Sequence, residues 1–168
     1  AGEGTKRSLI DGQQRLTTIT LFLAAIYSKL QQWEDIVKND EDSYDDYREL
    51  KKLLLCKGSK ENGLMLVPQI ESNNSADYAY VMSTLGLSKG KKEKNFGNRK
   101  IAKCYKYFCD RLDNEIFNLS QNDAITKIRD IYSIIKCAVV VKIEVSNSSE
   151  AYMLFESLNN RGASLTPI

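Results

Sequence analysis

Five consecutive residues, Asp11-Gly12-Gln13-Gln14-Arg15, interrupt an otherwise apolar stretch between Ser8-Leu9-Ile10 and the run from Leu16 to Leu30. They bring together a carboxylate, a glycine, two amides and a guanidinium. The flanking residues read as a strand followed by an amphipathic helix, with Leu16, Ile19, Leu23, Ile26, Tyr27 and Leu30 recurring at helical spacing. At a strand-to-helix turn backbone N–H groups converge and the helix dipole is positive, so anions, phosphates among them, bind there readily. Gly12 leaves room for a tight turn or a close approach. Asp11 is the candidate N-cap, its carboxylate accepting from free N–H groups of the first turn. Spacing alone supports either an anion site or a well-capped helix with its polar residues in water. The stretch is neither a G-x-x-x-x-G-K-[ST] phosphate loop nor a G-x-G-x-x-G turn, since it holds one glycine and no lysine.

A second polar-glycine turn closes the chain. Ser148 or Ser149 can cap a helix in which Ala151, Leu154, Phe155 and Leu158 share a face. That helix ends at Asn159-Asn160-Arg161-Gly162, where Asn or Gly can take a left-handed conformation. Thr166-Pro167 then has the pattern of a cap and first position of a further helix. The chain also begins at Ala1 rather than methionine. The expectation is a single domain over 1–168, truncated at both ends.

The net charge of +2 conceals two opposed blocks. Glu34, Asp35, Asp40, Glu41, Asp42, Asp45, Asp46 and Glu49 face only Lys38 and Arg48. Lys89, Lys91, Lys92, Lys94, Arg99, Lys100, Lys103 and Lys106 face only Glu93. With Phe96, Tyr105 and Tyr107 nearby, the basic block either tracks a nucleic-acid backbone, chiefly through Lys91, Lys92, Lys94, Arg99 and Lys100, or is a solvated loop and helix face.

These features need elements to position them. After the first helix, Asn39-Asp40-Glu41-Asp42 reads as a surface loop, and a helix over about Tyr44 to Cys56 follows. Leu64-Met65-Leu66-Val67 before Pro68 reads as a brief strand or extended segment. A helix over Ser75 to Leu85 precedes a flexible, lysine-rich stretch from Gly86 to Asn98. Two more helices are expected over Arg99–Phe117 and Gln121–Lys136, the second carrying Ile125, Ile128, Ile131, Ile134 and Ile135. Ala138 to Val145 (AVVVKIEV) is the clearest strand, rich in β-branched residues and alternating toward its end. The fold class expected is α+β, predominantly helical, with a small sheet against a helical bundle.

Composition excludes several chemistries. The chain has no histidine, so it holds no Ser-His-Asp or Cys-His dyad, no His-ligated metal and no His-dependent nuclease centre. Cys56, Cys104, Cys109 and Cys137 show no C-x-x-C spacing. Without a signal peptide they read as reduced thiols of a cytoplasmic protein. No apolar run is long enough to cross a bilayer.

Leu9 to Thr18 (LIDGQQRLTT) closely resembles the signature of the GmrSD-type N-terminal domain family, domain-of-unknown-function family 262. Phe155 to Thr166 (FESLNNRGASLT) resembles the same family's second signature, F-E-x-L-N-x-R-G followed by L-[ST]. The two signatures stand in the family's order, with helices and a Val-rich strand expected between them. The resemblance implies a ParB/sulfiredoxin-like fold and a role in modification-dependent restriction and anti-phage defence. There such a domain binds or hydrolyses a nucleotide and senses DNA, while a separate C-terminal HNH-type domain cuts; the alternatives are a non-catalytic DNA-binding module of ParB-like type, or a structural domain supporting the separate nuclease domain. The resemblance also implies a family segment upstream of the first signature, which the chain is expected to lack as a truncated piece. Carried onto this sequence, the resemblance implies a catalytic set of Asp11, Gln13, Gln14 and Arg15. It also implies nucleotide contacts from Gly12, Arg15, Asn159, Arg161 and Gly162. Arg15 would neutralise phosphate charge, and Gln13 or Gln14 would orient water. Asp11 would hold Mg2+ or cap the helix.

Overall fold

The computed structural model describes residues 9–56, 63–68, 72–145 and 147–159. Seven α-helices are formed among them: α1 (Gln13–Gln32), α2 (Glu34–Asn39), α3 (Glu41–Leu54), α4 (Ser72–Thr84), α5 (Lys100–Ile116), α6 (Gln121–Lys136) and α7 (Ser148–Asn159). A single 3-10 turn, Phe96–Asn98, leads into α5.

The bundle is organised around α1. From Leu21 to Leu30 it buries Leu21, Leu23, Ala24, Ala25, Ile26, Tyr27 and Leu30, more than one face of a helix can hold. A helix apolar over most of its circumference must be enclosed by neighbours. Here α5, α3 and α6 enclose it, and α4 packs on α5. Small Ala24 and Ala25, both fully buried, keep that enclosure close. Tyr27 and Tyr47 stack at 4.8 Å between α1 and α3, and the Tyr47 hydroxyl donates to that of Tyr27 at 3.0 Å. Phe22 stacks on Phe108 of α5.

The helix ends follow local chemistry. The Asp40 side chain accepts from Ser43 N–H at 2.9 Å and starts α3, so the expected loop at Asn39–Asp42 contracts to a one-residue junction. Ser120 caps α6 through Asp123 N–H. Asn147, rather than either expected serine, offers the side-chain oxygen that Glu150 N–H donates to. Helix α4 begins at Ser72, three residues earlier than the spacing predicts.

The expected sheet does not form among the described residues, which make a helical fold rather than an α+β one. Among the described residues no strand ladder forms, and the only β pairing is an isolated antiparallel bridge between Leu55 and Leu64. Leu9 and Ile10 precede α1 without strand pairing. Ala138 to Val145 also runs without strand pairing, with Val139 92% and Val141 82% exposed. β-Branched residues favour an extended backbone, but a strand needs a partner edge to satisfy its N–H and C=O groups. No described segment offers one here.

The stretch from Gly86 to Asn98, expected to be flexible, is pinned to α4. The Ser88 hydroxyl donates to the Ala79 carbonyl at 2.7 Å, and Phe96 meets the Tyr80 ring edge-on at 4.8 Å. Gly90 lies so close to α4 that a Cβ would stand 2.5 Å from backbone atoms of Ala79 and Tyr80.

Candidate functional site

Residues 11–15 lie at the exposed start of α1. Gly12 occupies the N-cap position at φ +80, and no side chain caps the helix. The first N–H groups of a helix have no intrahelical acceptor, and Leu16 N–H is the first here to find one, the Gly12 carbonyl at 2.9 Å. The role expected of Asp11 therefore changes. Its carboxylate accepts from Gly12 N–H at 2.5 Å, at the cap itself and not within the first turn. Its other oxygen accepts from Arg15 Nη2 at 2.9 Å. Both side chains of this pair are more than half exposed, where an ion pair is worth little and exchanges readily for another partner.

The two glutamines separate. Gln13 turns inward: Nε2 donates to the Leu9 carbonyl at 2.5 Å, tying the approach segment to the helix. Gln13 Oε1 is buried with no donor among the described residues. Gln14 is exposed beside Arg15. The motif thus presents one guanidinium, one carboxylate and one free amide around uncapped backbone N–H groups. That arrangement can take a phosphate, and it can place a water molecule near it.

Of the second signature, Asn159 ends α7, while Asn160, Arg161 and Gly162 lie outside the described residues. Helix α7 buries Ala151 but exposes Tyr152 and Met153. It has no packing against α1 comparable to that of α3, α5 or α6, so the described residues do not bring the two signatures together.

The basic block divides by role. Lys91, Lys92, Lys94 and Lys100 are exposed, and no carboxylate pairs with them among the described residues. Arg99 is engaged: Nη1 donates to Asp77 Oδ1 at 2.9 Å and Nη2 to the Lys94 carbonyl at 2.7 Å. Asp77 is fully buried in α4 and its Oδ2 meets no donor among the described residues. Sequence reasoning did not single out Asp77, Ser88 or Gly90 as partners of this block. The signal available was a glycine inside a lysine run, flanked by serine. Elsewhere, an open hollow of about 330 Å³ between α1, α5 and α6 is lined by Phe22, Phe108, Leu112 and Ile131, with Arg111 and Glu115. It touches neither signature.

No group of three or more potential metal-ligating side chains occurs among the described residues. No described helix is long and apolar enough to cross a membrane.

Compared with known families, the chain matches the GmrSD restriction endonuclease, N-terminal domain, over residues 1–168. No curated protein and no solved structure matches it.

Proposed function

We propose that this chain, which belongs to the family of GmrSD restriction endonuclease N-terminal domains, binds and hydrolyses a nucleoside triphosphate at the start of α1. In this reading it is the regulatory, DNA-sensing part of a restriction system, and DNA is cut by chemistry outside this histidine-free sequence. The carrying observation is the open N-terminus of α1, led by Gly12 at φ +80 and flanked by the exposed Asp11–Arg15 pair.

Each residue then has a task. Gly12 admits a phosphate close to the backbone, and the N–H groups of the first turn receive it. Arg15 exchanges the Asp11 carboxylate for phosphate oxygens, to which its planar fork is suited. Gln14 is exposed and orients the attacking water, whereas Gln13 holds the turn through the Leu9 carbonyl. Asp11 alone cannot cage a metal, but one carboxylate with phosphates and water is the manner in which Mg2+ is commonly held. Bound there, the ion would neutralise phosphate charge. The family resemblance assigns further nucleotide contacts to Asn159, Arg161 and Gly162, the last two of which lie outside the described residues.

The test is nucleotide turnover by the whole protein that carries this domain, comparing wild type with Arg15→Ala and Gln14→Ala, each checked for folding. Loss of a transition-state contact of this kind lowers turnover by about 10²–10³-fold. Unchanged turnover in folded variants removes the assignment. A purely structural motif would instead give a lower melting temperature in Arg15→Ala with turnover unchanged below it.

A further inference from the structure

The lysine-rich segment after α4 is not a loose tail, and its lysines meet no carboxylate among the described residues. Lys29, Lys38, Lys106, Lys127 and Lys136 each meet a carboxylate. Lys89, Lys91, Lys92, Lys94, Lys100 and Lys103 are exposed and meet none among the described residues. Glu93 is the one acidic residue within the block. Six like charges in so short a stretch repel one another, and a flexible loop would spread them apart.

Contacts along the segment prevent that spreading. Gly90 lies flat on the Ala79–Tyr80 backbone, where a Cβ would have only 2.5 Å. The Ser88 hydroxyl donates to the Ala79 carbonyl at 2.7 Å. Phe96 is held by Tyr80. Arg99 closes the segment by reaching the buried Asp77 with one nitrogen and the Lys94 carbonyl with another. Burying a carboxylate is costly unless a cation compensates it, so the Asp77–Arg99 pair ties the loop to the core of α4. It also joins the loop lysines to Lys100 and Lys103, one turn apart at the start of α5. Cations at the positive end of a helix are locally unfavourable, and α5 has no acidic residue in its first turn. An external polyanion covering the site would relieve that local conflict.

We propose that the Asp77–Arg99 latch and the Gly90 contact hold these lysines as a preformed surface for the phosphate backbone of duplex DNA. Duplex DNA is the occupant favoured because the chain belongs to a restriction endonuclease family and because lysine point charges on a rigid loop suit evenly spaced phosphates. Arg99 is a positioning residue here and not itself a phosphate contact. The surface carries affinity without sequence preference.

The experiment titrates the protein into a short fluorescent duplex, without nucleotide, at salt from about 50 to 200 mM. Leaving nucleotide out makes the result independent of the α1 site. Neutralising Lys91, Lys92 and Lys94 to Gln removes three contacts. It should lower the slope of log affinity against log salt by about 2–3 and leave the melting temperature unchanged. Arg99→Lys keeps the charge but loses the two-point latch, and Gly90→Ala keeps the charge but lifts the loop from α4. Both should weaken binding several-fold relative to wild type. Where one of them does not fold, the other carries the comparison. An unchanged slope in the triple variant overturns the surface. Wild-type affinity in a folded Arg99→Lys or Gly90→Ala protein overturns the latch. Tighter binding of single-stranded RNA than of the duplex overturns the partner.

Discussion

At Gly12 the backbone adopts φ +80, a left-handed conformation that costs an L-residue with a Cβ about 1–2 kcal/mol. An added Cβ would meet only the Arg15 guanidinium, at 3.7 Å, so the backbone and not crowding sets the penalty. Gly12→Ala should therefore lower unfolding free energy by about 1 kcal/mol in urea titrations, and Gly12→Asn should cost less. Equal losses for the two would show that the glycine is kept for space alone. The sequence made the helix start legible here but misassigned the cap. Asp11 has the right side chain for an N-cap, yet it serves Gly12 N–H and Arg15 instead. A cap is decided by backbone dihedrals that residue type alone does not report. The Asp77–Arg99 pair was illegible for a different reason: its members stand 22 positions apart, and only the fold of the intervening chain makes them neighbours.

Elements show the same division between local and non-local information. Helix α6 runs from Gln121 to Lys136, as the spacing of its isoleucines predicts, because amphipathic period and the Ser120 cap are both local. The Ala138–Val145 segment has equally strong local preference, but a strand is completed only by a second strand. Its side chains now face solvent. Val141→Thr should therefore change stability by no more than about 0.5 kcal/mol, and a drop of several degrees in melting temperature would show that the segment is packed. Between α1 and α5, Lys29 is 5% exposed and donates to Asp113 at 2.5 Å. Removing one partner of such a pair leaves a buried cation, so Asp113→Ala should cost about 1–3 kcal/mol. Lys29→Met removes the buried charge altogether and should cost less, or even stabilise. The reverse order in thermal melts would mean that the pair itself holds α1 to α5.

For the whole molecule, the absence of histidine and the burial of tyrosines set the response to pH. Desolvation pushes the Tyr78 hydroxyl up to about 12 and raises those of Tyr47, Tyr105 and Tyr132 as well. The folded state therefore holds these phenols neutral, while in the unfolded chain they ionise near their ordinary value of 10.0. A group whose folded pKa is raised contributes its full stability below the unfolded value, and that stability is lost as pH rises through the window above it. Lys136, raised mainly by its hydrogen bond to Asp46, acts in the same direction at the top of the range. At the acid end, the hydrogen bond from Ser43 lowers the Asp40 carboxyl. Its contribution is present above the ordinary value of 3.8 and fades as pH falls below it. With no imidazole titrating between these limits, and with burial raising the Cys104 and Cys109 thiols above their ordinary 9.0, melting temperature should be flat from about pH 6 to 8, decline gently near pH 9 and fall steeply above about pH 10. Tyrosinate absorbance should then rise in two stages, the later one coinciding with loss of helical circular dichroism. A single smooth rise near pH 10, with the helices intact, would show that these four tyrosines are open to solvent and that the core around α1 is looser than its packing implies.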